Sequence, residues 1–296
     1  MENKRMPLIQ IIGLSGSQRG ALLKKDLANQ NFGFTSNLGV IVNSCDYSNE
    51  AFHSSIVSNL ILKRQITVGE LGCALAHKEA CERLINSLSD YSYSIIFEDD
   101  ANLINKIDPE FFGSILMDPN PRILLLGWNP KFTLVSHGDD LTKSEFVRVV
   151  VPPTGTFAYA LNLKAARLIA ETSKVFTATS DWPIETYSKI QFFALSAPIV
   201  DWERAAGDSE IDRLDPRTNH EIANTLHRAI VIVKSIIGLF AIKLFQRRNL
   251  SSRQILGCVI MRDLAFSLAK PTPTSSHFYV LPKNFQSLAR FFRVIT

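Results

Sequence analysis

The feature that most constrains this chain is a series of short apolar runs, each of strand length, separated by stretches of helical composition. Leu8 to Leu14 is the first run, and Gly39-Val40-Ile41-Val42 is the core of a second. Ser94 to Phe97, Arg122 to Trp128, Val147 to Val151, Thr154 to Leu161 and Phe192 to Val200 follow. Between them, residues 21–29, 67–87 and 163–173 carry helix-forming sequence, and Asp108-Pro109-Glu110 opens a short helix with proline in its first turn. Strands alternating with helices predict an α/β fold with a mainly parallel sheet. Ligands of such sheets bind at the carboxyl ends of the strands.

One of those ends is chemically unusual. Ser94-Ile95-Ile96-Phe97 runs directly into Glu98-Asp99-Asp100. Three like charges at one strand end raise each other's pKa, and a cation or a set of hydrogen-bond donors relieves them. Hard carboxylate oxygens suit Mg²⁺ or Mn²⁺. A solvated acidic turn has the same composition, so the triplet needs context.

Two further segments supply candidates. Ser15 to Gly20 links the first strand to a helix, a small-residue turn suited to a phosphate or nucleotide, with Arg19 adding charge. It lacks a G-x-G-x-x-G fingerprint, and a plain strand-to-helix connection reads the same way. Thr67-Val68-Gly69-Glu70 is a capping box that starts a helix running to about Ser87. His77 follows Glu70 by seven residues and shares its helix face; a helix cap and a satisfied buried histidine are the plainer roles for the two. Farther on, Ser180-Asp181-Trp182-Pro183-Ile184-Glu185 has the form of a helix start with Ser180 or Asp181 as cap.

The net charge of +4 hides an asymmetry. Residues 1–215 hold 20 Lys and Arg against 26 Asp and Glu, whereas residues 216–296 hold 12 against 2. This divides the chain into a mildly acidic body, 1–215, and a basic, largely helical C-terminal region, 216–296, that meets an anionic surface. Residues 226–245 are nearly apolar, but Lys234 and Lys243 disfavour a span, since a lysine at the bilayer centre costs about 2.5–3.5 kcal/mol. An interfacial helix with snorkelling lysines, or a helix packed on the body, remains. Arg247, Arg248, Arg253, Arg262, Arg290 and Arg293 with Phe285, Phe291 and Phe292 suit an anionic membrane rather than nucleic acid. Four scattered cysteines lack paired zinc-site spacing, and the opening residues lack a signal-peptide core. These features place the chain in the cytoplasm, peripheral on the inner membrane's cytoplasmic face.

Gly69 to His77, Ile95 to Asp100 and Thr156-Phe157-Ala158-Tyr159 with Asp181 downstream together resemble glycosyltransferase family 25. That family contains bacterial lipooligosaccharide and lipopolysaccharide biosynthesis enzymes, many of them β-galactosyltransferases. Ala76 stands where the family usually has serine, and the first strand lacks its usual Asn-Leu start. The resemblance implies a GT-A-like nucleotide-sugar-binding domain and a UDP-sugar donor, with UDP-galactose the family-level choice. The acceptor it implies is a lipid-linked saccharide. Glu98-Asp99-Asp100 then stands in for the D-x-D motif: Asp100 binds Mn²⁺ or Mg²⁺, and Glu98 supports the metal or the ribose. Inversion needs a carboxylate to take the acceptor's proton. Asp181 is the implied base and Glu185, one turn on, the reserve, while Glu70 and His77 line the pocket. The competing assignments are a catalytically silent glycan- or membrane-binding protein and a metal-dependent phosphoesterase.

Overall fold

Branched and aromatic side chains suit a pleated, covered surface, and the apolar runs become strands. In the computed structural model the elements are β1 (Leu8–Ile12), α1 (Ala21–Asn29), α2 (Val68–Asn86), β2 (Tyr93–Glu98), β3 (Asn102–Leu103), α3 (Pro109–Leu116), β4 (Arg122–Gly127), β5 (Leu134–Val135), β6 (Phe146–Val151), β7 (Ala158–Asn162), α4 (Leu163–Thr172), β8 (Gln191–Leu195), β9 (Val200–Asp201), β10 (Lys270–Thr272) and β11 (Ser275–Val280). The structure describes residues 7–15, 18–36, 38–39, 68–87, 91–129, 134–135, 144–153, 155–173, 182–183, 186, 189–201, 270–272 and 275–280.

The main sheet has the order β1-β2-β7-β4-β8-β6-β5-β11-β10, and β3 pairs with β9 separately. Of the six strands β1, β2, β7, β4, β8 and β6, four run in one direction, and β7 and β6 run against them. The expected common direction therefore holds for most of these strands, but the pairing between neighbours is mixed. An apolar run covered on both faces looks the same whichever way it points, so the reversal of β7 between β2 and β4 is invisible in composition. Thr35, Leu38 and Gly39 bond alongside β1, where the second apolar run was expected. Residues 40–43 of that run lie outside the described residues. The final apolar run splits into β8 and the separate strand β9.

Side-chain alternation assigns the two faces of the sheet. Gln10 donates to the Ala80 carbonyl of α2 at 2.8 Å, and Tyr159 meets His77 of the same helix at 2.8 Å. Residues of the opposite parity reach α3: Tyr93 donates to the Pro109 carbonyl at 2.7 Å and Asn162 to the Leu116 carbonyl at 3.1 Å. Helices thus cover both faces, α2 against β1, β2 and α4, and α3 against β4 and β7. Phe97, Ile95, Ile96, Leu124 and Tyr159 are buried between them.

Asn162 joins three segments. Its Oδ1 caps α4 by accepting from Ala165 N at 3.0 Å and also accepts from Arg122 N at 3.1 Å. Its Nδ2 donates to the carbonyls of Leu116, Asp118 and Asn120. Asp108 caps α3 by accepting from Phe111 N, with Pro109 at the first turn as its sequence requires.

In the basic C-terminal region the described segments are strands. β11 pairs in parallel with β5, Tyr279 beside Leu134, and β10 pairs with β11. The apolar stretch 226–245, expected to be helical, lies outside the described residues. Among the described residues, no helix is long and apolar enough to cross a membrane.

Candidate functional site

The acids emerge where β1 and β2 end together. Ile12 and Glu98 are paired in register, which brings Gly13 against Asp99. A Cβ on Gly13 would lie 2.7 Å from the Asp99 Cβ, so only glycine permits this approach without a shift. Ala101 N returns to the Glu98 carbonyl at 3.0 Å, folding Asp99 and Asp100 into a tight turn. Because β7 runs the other way, its beginning lies at this same edge, and Glu98 N donates to the Phe157 carbonyl at 2.8 Å.

Glu98 points into a buried polar cluster. Thr156 Oγ1 donates to Glu98 Oε1 at 2.6 Å, and His77 Nε2 lies 3.3 Å from the same oxygen and 3.2 Å from Thr156 Oγ1. The other ring nitrogen, His77 Nδ1, meets the Tyr159 hydroxyl at 2.8 Å. His77, Thr156 and Tyr159 are all buried. Burial alone would push the Glu98 carboxyl up, but His77 by hydrogen bond and charge, Thr156 and the Arg19 charge outweigh it and hold the carboxyl below its usual range. Burial first, then the charges of Cys81, Glu98 and Cys73, drives the Tyr159 hydroxyl well above its usual range.

Asp100 behaves oppositely. Burial, together with the Glu98 and Asp99 charges, outweighs the attraction of Arg19 and pushes its carboxyl up to about 7. Arg19 donates to Asp100 Oδ2 at 2.9 Å and approaches Asp99 Oδ1 to 3.9 Å. Asp100 Oδ1 is buried with no hydrogen-bond partner among the described residues. A buried carboxylate oxygen with unspent acceptor capacity, flanked by two more carboxylates, fits a hard divalent cation.

The residues expected from the sequence fall into three groups. Arg19, His77, Glu98, Asp99 and Asp100 converge on the edge shared by β1, β2 and β7. Glu70 is buried in the first turn of α2, two turns before His77, while Thr67, its expected capping partner, is outside the described residues. Asp181 and Glu185 also lie outside the described residues. Their neighbour Trp182 is buried edge-on to Tyr159, ring centroids 4.8 Å apart, and packs on Phe192 at 5.3 Å. Sequence reasoning assigned no role to Thr156, Tyr159 or Cys73. The one-turn spacing of Cys73 and His77 was the available signal for the cysteine; the other two needed the reversed direction of β7.

The α/β sheet thus gathers three carboxylates, a guanidinium and a buried histidine at one edge. The sequence profile of Glycosyltransferase family 25 (LPS biosynthesis protein) matches residues 6–184, more than half of the 296-residue chain, and the chain belongs to that family. It is accordingly a glycosyltransferase of a lipopolysaccharide-biosynthesis family. The matched span contains the whole acidic edge and Asp181 and stops one residue short of Glu185. No curated protein matches the chain.

Proposed function

We propose that this glycosyltransferase moves galactose from a UDP-sugar to a lipid-linked lipooligosaccharide or lipopolysaccharide saccharide, with inversion at the anomeric carbon and dependence on Mn²⁺ or Mg²⁺. The observation that carries this reading is Asp100 Oδ1, a buried acceptor without a partner at a three-carboxylate edge. Asp100 holds the cation and Glu98 supports it from the adjoining strand end. When bound, the cation stabilises negative charge on the departing diphosphate. Arg19 adds a second positive charge at the same edge. Tyr159, His77 and Thr156 lock the Glu98 carboxylate, so its charge stays fixed as the reaction proceeds. Asp181 accepts the proton of the acceptor hydroxyl, with Glu185 in reserve. The GT-A-like assignment of the body belongs to this reading and is supported by the α/β sheet and the family.

The basic region 216–296 brings the soluble donor chemistry to a lipid-anchored acceptor at the anionic cytoplasmic membrane face. The direct test is a panel of UDP-sugars offered to purified protein with Mn²⁺, scored for donor hydrolysis and binding. UDP-galactose turnover that disappears with chelator is expected. Activity confined to a non-UDP donor would overturn the nucleotide assignment.

A further inference from the structure

We infer that Cys73, His77 and Glu98 form a second cation site, of the zinc class, which shares Glu98 with the hard-cation site at Asp100. Cys73 and His77 are one helical turn apart on α2, so their side chains share a face, and Glu98 meets them from the end of β2. One ligand atom from each, a sulfur, a ring nitrogen and a carboxylate oxygen, all lie within 4.8 Å of one another. Three protein ligands with a fourth position left open is the arrangement of reactive rather than purely structural zinc sites.

The His77–Glu98 separation accommodates a cation as well as a hydrogen bond. A charged N–H···O⁻ contact normally closes to about 2.7–2.9 Å. His77 Nε2 and Glu98 Oε1 instead stand 3.3 Å apart although both are held by buried neighbours. A tetrahedral centre with bonds of about 2.0–2.1 Å separates two such ligand atoms by about 3.3–3.4 Å. The surroundings also match what a bound imidazole needs. Cation binding would take the Nε2 proton that bonds Glu98 in the cation-free protein; Nδ1–H then donates to Tyr159 Oη, the Nε2 lone pair serves as ligand, and Thr156 donates to the carboxylate oxygen. Thiolate and imidazole select zinc-like ions, whereas the carboxylate oxygens of Asp100 and its neighbour Asp99 suit Mn²⁺ or Mg²⁺. The two sites meet at Glu98, and the second does not depend on the identity of the sugar donor.

Cobalt(II) replaces zinc and reports its ligands by absorption. Protein purified without chelator is expected to contain close to one zinc per chain by elemental analysis. After exchange, Co²⁺ should give a thiolate charge-transfer band and tetrahedral visible bands. Cys73→Ser should lose the thiolate band, and Tyr159→Phe, which leaves all three ligands in place, should weaken Co²⁺ binding about 10–100-fold. Asp100→Asn should keep the cobalt spectrum while losing Mn²⁺ binding, which separates failure of this site from failure of the transferase reading. Circular dichroism checks that each variant is folded. A wild-type protein that binds Co²⁺ no better than a folded Cys73→Ser/His77→Ala variant, or whose spectrum is lost in Asp100→Asn and retained in Cys73→Ser, would overturn the assignment.

Discussion

Replacing Asp100 with asparagine should make the cation-free protein more stable while removing its transferase activity. Burial and the neighbouring Glu98 and Asp99 charges raise the Asp100 carboxyl from 3.8 to about 7. A tenfold change in proton affinity between the unfolded and folded chain corresponds to about 1.36 kcal/mol, so the ionised form costs the folded state at most about 4 kcal/mol at pH 8. Asparagine keeps the shape and removes the charge. Because the folded value is the higher one, the native state binds more protons than the unfolded state between about pH 4 and about pH 7. Wild-type stability should therefore fall as pH rises through that window and level off above it. The assay is urea unfolding in chelator from about pH 4 to about pH 8.5, wild type beside Asp100→Asn. The variant should show a flatter profile and a higher midpoint at the alkaline end. Mn²⁺ should then raise wild-type stability by mass action and leave the variant unmoved. Equal stabilities at the alkaline end, or an undiminished pH slope in the variant, would refute the claim that Asp100 is a strained buried charge awaiting a cation.

Four shorter predictions rest on other contacts. Gly13→Ala forces a Cβ to within 2.7 Å of Asp99 and should cost about 1–3 kcal/mol in thermal unfolding while weakening Mn²⁺ binding, because the acidic turn must move. Asn162→Ala removes the α4 cap and three donations to carbonyls, and denaturant titration should show a loss of about 2–4 kcal/mol; Asn162→Asp, which retains the cap but turns a carboxylate oxygen toward the three carbonyls, should not recover it. Asp181→Asn should lower kcat by about 10²–10⁴ with donor binding unchanged, as measured by steady-state transfer and titration calorimetry. Replacing Arg247, Arg248 and Arg253 with glutamate should release the protein from anionic vesicles, and binding of the parent should fall with salt. Charge replacement is the cleaner test than deletion, since removing the tail would also strip β10 and β11 from the sheet.

The strands and helices nearest the site were legible because they are governed by local physics. Residues 68–86 carry a helical apolar pattern, Asp108-Pro109 is a start signal, and the run before Glu98 is too short and too branched for a helix. The acidic edge was legible for the same reason, since a strand end and its adjoining turn are contiguous in sequence. What escaped were relations across the sheet. Thr156 and Tyr159 reach His77 only because β7 is inserted against its neighbours, and strand direction leaves no trace in an apolar run buried on both faces. The opposite titration of Glu98 and Asp100, two residues apart, depends on which one faces His77 and Thr156 and which faces Arg19. Composition does not contain that choice.

The pairing of β11 with β5 has a consequence for how the protein is made. Leu134 finds its partner Tyr279 only about 145 residues later in the chain. At about 5–20 residues added per second, the ribosome needs roughly 7–30 s to supply that partner. During this interval the acidic edge of β1, β2 and β7 can already be assembled, while the far margin of the sheet waits with open backbone groups. Such an unpaired margin invites association with other chains. Slow or interrupted synthesis near the C-terminus should therefore yield a product whose active edge is formed but whose solubility is poor.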